Sequence, residues 1–121
     1  LRQLAQHVKT GLDASGLRVV GELDRPCQTV AVMPGAPGAK WQIKALGAPN
    51  VDVLLAGEIS EWETSEFARD ARSQAAGKGL IVTGHAASEE PGMRWLAPWL
   101  EQRFRGVPVS FIHTGSAFQN I

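Results

Sequence analysis

Two apolar runs constrain this chain most: residues 51–56 (Val-Asp-Val-Leu-Leu-Ala) and residues 79–83 (Gly-Leu-Ile-Val-Thr), each closed by a glycine, Gly57 and Gly84. Both have strand length and lack the polar–apolar alternation of a strand with one wet face, so each is expected to be buried on both sides. Such strands need helices above and below the sheet. The intervening sequence supplies one, because Phe67, Ala68, Ala71 and Ala75 recur at helical spacing and Gly77 can end the helix. Ser60 and Glu63 stand three apart ahead of it, the spacing of a capping box with an acidic first turn.

The remaining elements follow the same logic. Residues 1–15 place Leu1, Leu4, His7, Val8 and Leu12 at helical spacing before Gly16. Residues 17–22 and 29–33 read as strands joined by a turn at Asp24, Arg25 and Pro26. The loop Pro34-Gly35-Ala36-Pro37-Gly38 precedes a helix over Ala39–Leu46. Residues 84–90 read as loop. Pro91 suits the first turn of a helix reaching about Arg105, with Met93, Leu96, Leu100 and Phe104 inward and a kink at Pro98. A final strand is expected over residues 107–112, and the sum is a single α/β domain over residues 1–121, a layered mixed or parallel sheet flanked by helices.

The chain has 121 residues, and its 12 Lys and Arg balance its 12 Asp and Glu. A neutral total offers no general attraction to nucleic acid or to an anionic membrane surface. No apolar stretch approaches the roughly 20 residues of a membrane helix. The single cysteine, Cys27, excludes an internal disulfide and reads as an inert thiol in a reducing, cytoplasmic setting.

Charge is nonetheless uneven, with eight acids against three bases between Asp52 and Glu90. Most of such an excess is ordinarily a solvated helix face. Two parts of it are placed differently, since Gly57-Glu58-Ile59-Ser60-Glu61 and Gly84-His85-Ala86-Ala87-Ser88-Glu89 both leave the carboxyl ends of buried strands. Ligands of open α/β sheets gather at that edge. His85 and Glu89 offer an imidazole nitrogen and a carboxylate suited to zinc, iron or manganese, the alternative being a histidine bonded at a helix cap. Glu58 and Glu61 are candidates for general acid or base catalysis.

Other features carry less. Ser60 is more simply a cap than a nucleophile, since no Asp–His partner follows. The Gly35–Gly38 loop lacks the spacing of a phosphate-binding loop and reads as a strand-to-helix turn. Trp41, Trp62, Trp95 and Trp99 lie near apolar helix patterns, and Trp95 and Trp99 widen one face enough to suit a subunit contact.

Leu55-Ala56-Gly57-Glu58-Ile59-Ser60-Glu61, then Thr83-Gly84-His85-Ala86-Ala87-Ser88-Glu89, then Gly92-Met93-Arg94-Trp95-Leu96 through Leu100, together with Val30–Gly38, resemble the carboxyl-terminal half of the NGG-one-interacting-factor-three family. These proteins are also called dinuclear-metal-centre hexameric proteins or GTP cyclohydrolase 1 type 2 homologues. The resemblance implies that His85 and Glu89 help bind a pair of divalent ions (zinc, iron or manganese), with Glu58 and Glu61 in the adjacent acidic motif. It implies that the remaining ligands belong to an amino-terminal lobe absent here, and that full-length members form hexameric rings. The implied activity is two-metal hydrolysis of a nucleotide or phosphate-bearing substrate. The alternative is a non-catalytic oligomeric scaffold or partner-binding module with an incomplete metal site.

Overall fold

The computed structural model describes residues 1–73 and 77–118. In chain order it contains α1 (Arg2–Gly11), β1 (Arg18–Val20), β2 (Val30–Met33), α2 (Ala39–Leu46), β3 (Val53–Ala56), a π-type turn over Glu61–Ser65 leading into α3 (Glu66–Ser73), β4 (Gly79–Val82) and α4 (His85–Arg103). The strand order is β1-β4-β3-β2. β2, β3 and β4 run parallel, and β1 is antiparallel to β4 with Arg18 opposite Val82. The α/β layered reading with a mixed sheet therefore holds.

The two apolar runs are buried on both faces, as their composition demands. Leu54, Ala56, Leu80 and Val82 point to one side, where Leu46 of α2 and Ala68 of α3 complete a core. Val53 and Ile81 point to the other, under Leu1 and α1. Alternate residues thus serve opposite cores, and a polar residue at any of these strand positions would face apolar atoms. Among the described residues no helix is long and apolar enough to cross a membrane.

Asp52, just ahead of β3, accepts from the backbone N–H groups of Gln28 and Thr29 at 2.8 and 2.9 Å and so pins the entry of β2 against β3. Those two hydrogen bonds, first Gln28 and then Thr29, hold its carboxyl below the usual carboxylate range. A depressed carboxyl stabilises the fold above its unfolded pKa of about 3.9 and loses that contribution as pH falls through its folded value. Asp52→Asn is expected to lower the thermal midpoint at pH 7 and to flatten the decline of stability below about pH 4. A wild-type and a variant curve of equal slope in acid would exclude this role.

Several expectations are corrected. α1 stops at Gly11 rather than near Gly16, because Asp13 adopts the left-handed conformation at φ 50°. Ser60 forms no side-chain cap; its carbonyl instead accepts from Glu63 and Thr64, and the regular helix starts only at Glu66. That helix is described through Ser73, so Ala75 lies outside the described residues. α4 begins at His85, not Pro91: Gly84 turns the chain at φ 93°, the Ser88 amide bonds the Gly84 carbonyl, and Pro91 falls inside the helix with Pro98.

Residues 107–112 form no strand. A ladder requires a neighbouring backbone, and this segment lies along α4 instead of at either edge of the sheet. Met93, Leu96 and Leu100 face Val109 and Phe111 across a groove of about 280 Å³. Glu90 holds the returning chain through His113 Nδ1, at 2.9 Å, and the Gly115 amide. The apolar stripe of α4 therefore packs on this segment rather than on the core; no α4 residue is buried, and Met93, Trp95 and Phe104 are more than half exposed.

Candidate functional site

Three connections leave the carboxyl edge of the parallel strands and meet over β3 and β4. The β2–α2 loop contributes Gly35, the end of β3 contributes Gly57 and Glu58, and the first turn of α4 contributes His85, Ser88 and Glu89. The Gly35 amide donates to Ser88 Oγ at 2.9 Å, and Ser88 Oγ donates to the His85 carbonyl at 2.6 Å. The Glu58 amide donates to the Gly35 carbonyl at 2.8 Å. A side chain on Gly57 would run into Ser88 Oγ and into the Gly35 backbone. Only a hydrogen at that position lets the three segments close.

Below Glu58 the scaffold is buried. Gln42 of α2 has no exposed surface; its Nε2 donates to the Glu58 carbonyl at 2.7 Å and its Oε1 accepts from Thr64 Oγ1 at 2.8 Å. The strand-end turn is thus tied to α2 and to the π-type turn by one amide bonded at both its nitrogen and its oxygen, and the Glu58 carboxylate stands on a fixed main chain.

His85 lies between two carboxylates. Its Nδ1 is 2.9 Å from Glu58 Oε2 and its Nε2 is 3.2 Å from Glu89 Oε2. A neutral imidazole carries one N–H, so it can satisfy only one of these oxygens and must point a lone pair at the other. The arrangement asks for positive charge, either a second proton or a cation. The hydrogen bond that the Glu58 carboxylate accepts from His85, opposed by partial desolvation and reinforced by the Glu89 charge, accordingly raises the pKa of His85 above its ordinary 6.5.

The donor geometry fits a metal ion on one side. Two ligands about 2.1 Å from a common ion, at angles between octahedral and tetrahedral, lie about 3.0–3.4 Å apart, and the Nε2–Oε2 separation of 3.2 Å falls in that interval. Gly35, at φ 65°, lacks the side chain that would collide with Glu89 Oε1. Among the described residues no third His, Cys, Asp or Glu joins them in a metal-binding group, so the pair alone falls short of the three or four donors a zinc site takes.

Of the four residues singled out from sequence, the structure brings Glu58, His85 and Glu89 together and leaves Glu61 elsewhere, paired with Arg18 of β1. Gly35 and Ser88 belong to the same site. Ser88 sits inside the Gly-His-x-x-Ser-Glu element, whereas the tie from Gly35 spans 53 positions and had no local signal.

Residues 1–117 match the Duf34/NIF3 (NGG1p interacting factor 3) family. A GTP cyclohydrolase 1 type 2 homolog from Pseudomonas aeruginosa is 34% identical over 100 residues, which is 83% of this chain and 36% of that protein. A Bacillus cereus protein related to NIF3 superposes over the whole chain with a TM-score of 0.70 at 27% identity, on 32% of its own length. Staphylococcus aureus protein SA1388 does so with a TM-score of 0.70 at 26% identity, on 34% of its length. The chain spans about a third of each relative.

Proposed function

As the chain belongs to the Duf34/NIF3 family, we propose that it supplies the His85 and Glu89 donors of a divalent-metal site at the carboxyl edge of its sheet. The observation that carries this reading is the imidazole set between two carboxylates, with Nε2 and Glu89 Oε2 at the spacing of two ligands of one ion. The longer relatives have roughly twice as much chain again, from which the remaining donors and a second ion would come. An ion such as zinc, iron or manganese held there supplies Lewis acidity toward a phosphate or carbonyl oxygen. The reaction class this supports is hydrolysis of a nucleotide or other phosphate-bearing substrate, in a reducing, cytoplasmic setting that suits the lone thiol of Cys27.

Glu58 enters this reading as a residue that shapes the site, and Glu61 stands apart from it. Glu61 is engaged by Arg18, and the Glu58 carboxylate is engaged by the imidazole. Neither is free to take a proton from a substrate without giving up its partner.

The test is metal uptake by the 121-residue chain purified without chelator. Zn²⁺ titrated into the wild type should bind weakly, through the two donors this chain carries, and His85→Ala or Glu89→Gln should weaken binding at least about tenfold further, the loss typical even of a partner outside the coordination shell. Equal binding by the variants would overturn the assignment.

A second reading rests on a separate observation, the unburied α4 with Trp95 66% exposed. Patches of that kind mark contact surfaces. Self-association through this face, up to the hexameric ring, would let the protein act as an oligomeric scaffold even with an incomplete metal site. Sedimentation that stays monomeric, and is indifferent to Trp95→Ser, would exclude it.

A further inference from the structure

We propose that Glu58 is a positioning residue: it takes the Nδ1 proton of His85 into a hydrogen bond, fixes the ring in the Nδ1–H tautomer, and so turns the Nε2 lone pair toward the cation position beside Glu89. This deepens the metal reading above and rests on it. The two ring nitrogens diverge, so a carboxylate on Nδ1 cannot share an ion with Nε2. Glu58 Oε2, at 2.9 Å from Nδ1, is therefore outside the coordination shell and acts through the ring.

A histidine side chain free in water favours the proton on Nε2, which would leave the ring with no lone pair to offer at the Glu89 side. Something must hold the other tautomer, and three features equip Glu58 to do so. Its amide is fixed by the Gly35 carbonyl and its own carbonyl by the buried Gln42, so the carboxylate starts from a rigid main chain even though the side chain itself is exposed. It reaches His85 from the neighbouring parallel strand, 27 positions away, so the contact is set by the sheet rather than by local turn geometry. Glu61, the other acid of the strand-end motif, is taken by Arg18 and cannot substitute. A carboxylate on the distal nitrogen also raises the basicity of the nitrogen that faces the ion.

The experiment uses the 121-residue chain, labelled with ¹⁵N. Long-range ¹H–¹⁵N spectra of metal-free protein, at a pH where the ring is neutral, report which His85 nitrogen carries the proton, and Zn²⁺ alone is the probe for affinity. The expected result is Nδ1–H in the wild type, a shift toward Nε2–H in Glu58→Ala, and about 10–100-fold weaker Zn²⁺ binding in that variant. Glu58→Gln keeps an acceptor oxygen without the charge, and should retain the tautomer while losing part of the affinity. The Glu58 side chain is 61% exposed, and an unchanged amide spectrum elsewhere confirms that the variants are folded. A wild-type His85 protonated on Nε2, or a Glu58→Ala variant with unchanged tautomer or unchanged affinity, overturns the role. A wild type that holds Nδ1–H yet binds no Zn²⁺ overturns the metal reading while supporting the positioning of the ring.

Discussion

Gly57→Ala should cost this chain both its metal uptake and a large part of its stability. A methyl group at that position would fall on Ser88 Oγ and stand 2.6 and 2.7 Å from the Gly35 carbonyl oxygen and amide nitrogen. Two of those three atoms are backbone, so no rotamer change relieves the overlap. The β2–α2 loop must move off the end of β3, or the first turn of α4 must lift, and either movement breaks the ties among Gly35, Glu58 and Ser88 that hold the three segments of the site together. Forced overpacking costs about 1–3 kcal/mol and more where backbone must shift, against a total of about 5–15 kcal/mol for a domain of this kind. We expect a thermal midpoint lower by several degrees and Zn²⁺ binding below detection. Gly92→Ala is the control, since nothing lies within 4 Å of the added carbon in the middle of α4; there the change should stabilise by up to about 1 kcal/mol through helix propensity. Similar behaviour of the two variants would mean that the convergence at Gly57 does not hold the site together.

How much of this was legible beforehand varies with the range of the interaction concerned. The sheet was readable because β3 and β4 advertise burial on both faces through their own composition, and the helices through the period of their own apolar residues. His85 and Glu89 were readable as a pair, but their spacing of four places them on one helical face only because α4 starts at His85. The prolines drew the expected start six residues downstream, to Pro91, although Gly84 and the Ser88 bonds had already set the helix in motion. Residues 107–112 have the composition of a strand, yet strand formation is a property of two backbones, and among the described residues no second one lies beside them. The contact between Glu58 and His85, like that between Gly35 and Ser88, joins separate strand ends; it exists because parallel strands bring their carboxyl termini to one edge. Sequence spacing states that both acids of the Glu58-Ile59-Ser60-Glu61 motif leave the same strand. Only the sheet decides that one reaches the histidine and the other the arginine on β1.

Gln42→Leu tests how far the fold and the site share one support. Gln42 is wholly buried, and Leu is close to it in size, so the change removes polar atoms with little change of volume. What it leaves behind is the Thr64 hydroxyl and the Glu58 carbonyl without their partner. A buried polar group stripped of its hydrogen bond costs about 1–3 kcal/mol; the Thr64 hydroxyl bears that cost in full and the part-buried Glu58 carbonyl less of it, so the loss is about 1–3 kcal/mol or somewhat more before the apolar gain of the new side chain is set against it. Unfolding in urea should therefore show a loss of that order with an unchanged dependence on denaturant. Thr64→Val in the same chain removes one of the two stranded groups, and the double variant should be more stable than Gln42→Leu alone, because replacing both partners of a buried bond by apolar groups is nearly neutral. Simple additivity of the two substitutions would show that the Gln42–Thr64 bond contributes nothing specific. The Glu58 carbonyl stays unpaired in the double variant, so recovery of stability should come without recovery of the His85 tautomer. That separation would show that the buried amide stabilises the domain through Thr64 and sets the histidine through Glu58.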